Sequence, residues 1–278
     1  MASRVLPIPR VPFNPLAELI ARQRPLALYG LALLMLALVG AALQTVDPRV
    51  LASGVNVWVK PVKFLVSVGV FALTAAWFFG YIRPERRSAL LPRMVVVMLI
   101  GAGSLELLWI GWQAGNGLES HFNNDTPFYN MMYSLMGLFA VILIGSTLPL
   151  AWEIARRPAA GTRSDFIAAV AIGLVLTFLL GGGLGGYMSA QPGHSVGATG
   201  GHVPLFGWNR TGGDLRVAHF LGIHAEQAIP LLAALVAGWS GRARWTALAL
   251  GTLAYVVLTL TVFAQAVAGH ALLLLQPI

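Results

Sequence analysis

The sequence predicts an all-α protein, a polytopic bundle of about seven transmembrane helices. Composition is the first reason: 57% of the 278 residues are hydrophobic and only 10% are charged, whereas soluble domains carry roughly 25% charged residues. So few charges cannot dress a surface that faces water. The second is a mean hydropathy of +0.76. The third is the grouping of apolar residues into runs long enough to cross about 30 Å of hydrocarbon, which takes roughly 20 residues of helix.

In chain order, residues 1–26 form a polar lead, and the first run covers 27–46. The lead is long for a signal peptide and Val39 to Gln44 is a poor cleavage site, so an uncleaved helix is expected. The second run, 62–82, follows Trp58 to Phe64 (WVKPVKF), which contains both lysines of the chain, Lys60 and Lys63. The third, 94–115, holds Glu106 and, seven residues on along nearly the same face, Gln113. The fourth covers 128–152 and the fifth 166–188. Within the fifth, Gly181 to Gly186 (GGGLGG) matches GxGxxG in form but follows no strand. Small residues for close helix packing explain it better.

Residues 189–216, rich in Gly, Pro and Ser, read as a substantial outer loop. The sixth run is 217–239 and the seventh 245–272. Together 27–278 make one transmembrane domain without internal repeats. Pro230, four residues after Glu226, is expected to bend the sixth helix and free the Glu226 carbonyl.

Orientation follows from the basic residues. With the N-terminus inside, thirteen of the eighteen Arg and Lys fall on the inner side and five on the outer. The positive-inside rule therefore predicts a cytoplasmic N-terminus and an external C-terminus. That asymmetry accounts for the net charge of +8, so no nucleic acid is needed as a partner; the partner is a lipid bilayer. Sixteen Arg against two Lys suggest a GC-rich genome and hence a bacterial inner membrane.

The chain has no cysteine, which excludes thiolate zinc sites, iron–sulfur clusters, disulfides and Cys nucleophiles. A retinal Schiff base would need a lysine in the last helix, and none follows Arg244. No HExxH and no P-loop lysine occurs, so no enzyme class is indicated.

The ionisable residues are unevenly placed. His121, His194, His202, His219, His224 and His270 all fall on the outer side or in the outer half of the bundle. Glu106 and Glu226 lie inside spans, where a charged carboxylate costs about 2.5–3.5 kcal/mol on insertion scales and normally faces a cavity or a partner. In the sixth helix Arg216, His219, His224, Glu226 and Gln227 occupy one side. His219 and His224 point about 140° apart, too far to share one metal on a regular helix. Lys63 is expected either to reach phosphate headgroups or to turn inward and pair with Glu106 or an anionic ligand. The aromatic residues at the outer ends, Trp58, Trp109, Trp112, Phe122, Phe128 and Tyr129, read as an interfacial belt.

Trp58 to Phe64, Ser120 to Asn123 (SHFN) with Thr126 to Phe128, and Gly212 to Gln227 (GGDLRVAHFLGIHAEQ) resemble the signature segments of uncharacterised bacterial multi-spanning membrane proteins. The resemblance implies no activity, only that these polar residues are a family feature.

An outward-opening polar pocket between spans two, three, six and seven is expected. Its lining would be Lys63, Glu106, Gln113, His219, His224, Glu226, Gln227 and Gln265. Three uses compete. His121, His219, His224 and His270 are the candidates to hold haem b or a divalent metal in a redox role, since imidazole is the commonest metal ligand. A small-molecule or proton-coupled transporter or ligand-binding sensor would use Glu106 and Glu226 as protonatable groups. A structural or assembly subunit would need the polar residues only to satisfy one another.

Overall fold

The computed structural model of this chain describes residues 13–51, 54–123 and 125–272. These are mostly helical, with a long non-helical stretch over 190–214. The strands among them are Ser195–Val196 (β1) and Gly213–Asp214 (β2), one short antiparallel pair.

The lead is not wholly irregular. Helix α1, Pro15–Arg22, begins at Asn14, whose side chain accepts from the Leu16 and Ala17 amides, as an N-cap should. Then come α2, Arg24–Val46; α3, Val59–Phe79; α4, Leu90–Gly115; α5, Pro127–Gly145, with α6, Thr147–Arg156; and α7, Ser164–Leu176. A π turn, Thr177–Gly182, joins α7 to α8, Gly183–Ser189. Last are α9, Leu215–Ile223; α10, Ala225–Leu235; and α11, Gly241–Val267.

Among the described residues six stretches are long and apolar enough to cross a membrane: α2, α3, α4, α5–α6, α7–α8 and α11. The chain is a multi-pass membrane protein. The remaining run, the sixth, expected as one helix over 217–239, is instead two short helices interrupted at His224, which turns out of the helical basin (φ −92°, ψ 6°). The expected bend at Pro230 is not where the break falls, for α10 runs through that proline.

Close packing against the fifth span accompanies the break. A Cβ on Gly222 would lie 2.6 Å from the Gly181 nitrogen, and one on Gly173 would lie 2.9 Å from the Ala225 carbonyl oxygen. Glycine lets the two backbones touch on either side of His224, which is the packing role expected for Gly181.

Most of the core lies toward the Arg-rich end. There Leu26, Phe79, Ile82, Leu99, Leu150 and Leu174 from five spans meet with almost no exposure. The arginines at this end are used structurally. Arg22 donates to the Trp77 carbonyl (2.9 Å) and Arg87 to those of Gly80 (3.0 Å) and Ile82 (3.1 Å), meeting carbonyls at the end of α3, where cations are favoured. Glu153, 1% exposed, takes Arg86 at 2.9 Å and Arg157 at 3.3 Å, and Asp165 takes Arg163 at 3.0 Å and Arg244 at 3.2 Å. Main-chain bonds Arg83 N–H to Arg157 O (3.1 Å) and Ala159 N–H to Tyr81 O (2.8 Å) tie two loops together.

Candidate functional site

Hydrogen bonds sort the polar residues of the opposite half into groups, the deepest of them at the helix break. His224 ends α9 and begins α10, so Glu226 stands in the first turn of α10. Orphan amides at a helix start need outside acceptors, and the Glu226 N–H finds one in Thr177 Oγ1 (2.9 Å) of the π turn. Glu226 itself is completely buried. Its Oε1 accepts from Gln227 Nε2 (2.7 Å), while Oε2 has no partner. Gln227 Nε2 also donates to Thr74 Oγ1 on α3 (3.1 Å), and Gln227 Oε1 lies 3.1 Å from His224 Nδ1. An amide oxygen only accepts, so His224 carries its proton on Nδ1 here. The result is a three-residue chain, His224 to Gln227 to Glu226, bridging α3, the π turn and α10.

His219, one turn before the break, belongs to a different contact. Its Nδ1 lies 2.9 Å from the Gly181 carbonyl, which fixes the proton on Nδ1 as well. Gly185 makes room for the ring: an added Cβ would stand 2.8 Å from His219 Cε1.

A second group surrounds Lys60 at the start of α3. Glu106 on α4 is 3% exposed and neither carboxyl oxygen has a hydrogen-bond partner. The cation acting on it is Lys60, which also feels Glu119; no ion pair closes between Lys60 and either acid. The loop after α4 roofs this group. Gln113, 1% exposed, donates to Glu119 O (3.2 Å), and Trp109 Nε1 to Ser120 O (3.2 Å). His121 sits between the Phe64 and Tyr133 rings, at 5.6 and 6.2 Å, with Ser120 Oγ 3.1 Å from its Nδ1. Burial, reinforced by the Lys60 cation, pushes the His121 imidazole down to about 3, so it is neutral at physiological pH.

Lys63, expected either at phosphate headgroups or turned toward Glu106, does not pair with that acid. Its ammonium donates to the Phe206 carbonyl at 2.9 Å. Beside it Arg216 donates to Gly207 O (2.6 Å) and forks onto Asp214 at 2.6 and 2.9 Å. His194, in the same loop, is pushed down to about 4, chiefly by burial and then by Arg216. Gln265 and the exposed His270 lie apart again, at a small cleft shared with Asn209, Asp214 and Val217, where Gln265 donates to Ala271 O (2.6 Å).

Among the described residues no three histidine or acidic side chains converge as a metal site. His121, His219, His224 and His270 therefore stand in four settings and do not make one cluster. Nothing in the sequence marks Thr74, Thr177 or Lys60 as a site residue. A lone Thr in an apolar helix gives no period or motif to read, and Lys60 versus Lys63 is a question of rotamer and helix phase. No family model, curated protein or solved structure matches this chain.

Proposed function

We propose that this protein is a proton-coupled transporter of the bacterial cytoplasmic membrane, with its histidine-bearing end outward, and that Glu226 takes up and releases the coupling proton. One observation carries the reading. A fully buried acid stands directly after a helix interruption, with one oxygen bonded to Gln227 and the other free to carry a proton. Ionisable residues inside spans mark ion and proton routes, and broken helices within a bundle are characteristic of transporter sites. His224 and Gln227 line the approach by which a proton carried on water reaches Glu226 from the outer half, and the Gln227 amide orients the Glu226 carboxyl. Glu106, in the field of Lys60, is a second protonatable acid.

The test is infrared difference spectroscopy on the purified protein in lipid after a pH jump. The parent should show a protonated-carboxyl band that Glu226→Gln deletes and a second that Glu106→Gln deletes. Vesicles loaded with a pH-sensitive dye should show imposed-potential proton flux reduced at least about tenfold by Glu226→Gln, the order expected for losing an essential proton group. A carboxyl band and a flux both untouched by Glu226→Gln would refute the assignment.

A further inference from the structure

The segment Val203–Trp208 closes over the outer side of His224 and is held there by two cations. It is a tight hairpin. Val203 N–H donates to Trp208 O (2.9 Å), Gly207 N–H to Val203 O (2.7 Å), and a bridge pairs His202 with Asn209 below. Its tip, Pro204 to Gly207, carries Leu205 at φ 69°, a left-handed conformation rare for a bulky residue. The adjacent tip carbonyls are each bonded to a cation from another element: Phe206 O to Lys63 on α3 (2.9 Å), Gly207 O to Arg216 on α9 (2.6 Å).

Inside the hairpin the rings form a plug. Phe206 stacks on Trp208 at 4.4 Å, both lie against Phe220 (5.8 and 5.5 Å), and Phe220 lies 4.3 Å from the His224 ring. His224 begins the chain to Glu226. A path from the outer surface to that acid along this side of α9 therefore meets the plug.

We infer that the 203–208 hairpin is a lid over His224, with Lys63 as its releasable latch and Arg216 as its fixed anchor. The two cations differ in kind. Arg216 is pinned by its fork onto Asp214, which also accepts the Asn209 amide (2.8 Å). Lys63 has a single hydrogen bond, to a neutral carbonyl, on a flexible stem. Breaking that one bond frees the tip while the base of the hairpin stays attached. The lid governs access to the proton path and so rests on the proposed function for its purpose, though not for its existence.

The absence of native cysteine permits a clean test. His224→Cys, and separately Gln227→Cys, are made in the full chain, placed in vesicles and labelled with a membrane-impermeant maleimide at fixed pH without a gradient. Adding Lys63→Met should raise the labelling rate about tenfold, the order for losing one charge-assisted hydrogen bond. Phe206→Ala, which removes the ring and keeps the latch, should raise it as well, and Lys63→Arg should leave it near the parent rate. Labelling no faster than the parent's in folded Lys63→Met and Phe206→Ala would overturn the lid, and if Lys63→Met does not fold, Phe206→Ala decides alone. Labelling reads access only, so a carboxyl band and a flux both untouched by Glu226→Gln would sink the proton assignment and leave the lid standing.

Discussion

Acid should undock the loop that follows α4, and His121 should be the main cause. Its imidazole is held neutral between Phe64 and Tyr133, down at about 3 against an ordinary 6.5, because burial and the Lys60 ammonium oppose the charged form. Glu119 and Glu106 also face Lys60, so the local field near His121 is mixed. Undocked, the ring recovers its ordinary value and binds a proton more readily than when docked. The docked state thus loses stability as pH falls below about 6.5 and continues to lose it down to about 3; above pH 7 the effect vanishes. At pH 5 the gap is roughly 1.5 pH units at about 1.4 kcal/mol each, or about 2 kcal/mol. That corresponds to about a thirtyfold rise in loop opening. Hydrogen exchange of the 116–123 amides, compared between the parent and His121→Gln at pH 8 and pH 5, reads it directly. Taking the ratio at each pH cancels the intrinsic pH dependence of exchange, and His194 is common to both proteins. A parent-to-variant ratio that does not change between the two pH values would refute the reasoning.

Other consequences follow from packing and ion pairing. Gly222→Ala should cost about 1–3 kcal/mol by overpacking, since its methyl would come 2.6 Å from the Gly181 backbone, whereas Gly111→Ala meets open space and should be neutral or up to about 1 kcal/mol stabilising; thermal unfolding in detergent separates them. Glu153→Gln leaves Arg86 and Arg157 without their shared counter-charge. Those side chains are 36% and 44% exposed, so the cost should be discounted from the fully buried case to about 1–3 kcal/mol, seen as faster proteolysis of the loops around Arg83 and Arg157.

The spans were legible because hydrocarbon imposes a simple requirement of length and apolarity that composition reports directly. Each expected run overlaps a helix or helix pair within a few residues. The interruption at His224 was not legible, because Pro230, the strongest helix breaker in the run, sits tolerably within α10 and a single glycine, Gly222, is a weak signal. The break instead accompanies glycines from another span, Gly173 and Gly181, a tertiary effect without a local signature. The π turn was equally hidden, since its residues read as ordinary apolar helix. Glu106, Gln113, Glu226 and Gln227 stood out because polar groups in spans are rare, and all four proved buried or half-buried. Their partners did not stand out. Lys60 faces Glu106 and Lys63 does not, and three residues of helix phase decide between them.

The wider ring of the π turn at Thr177–Gly182 behaves as one residue inserted into an otherwise regular helix. Everything after it is rotated by about 100° and displaced by about 1.5 Å relative to an uninterrupted coil. Removing a single residue there would lengthen no loop and expose no charge. It would nonetheless swing Gly185 off the His219 ring and Tyr187 off Phe263, its neighbour at 5.0 Å. The facing of the C-terminal end of this helix is thus set by one supernumerary amino acid, a dependence that substitution scanning would miss and a one-codon deletion would reveal.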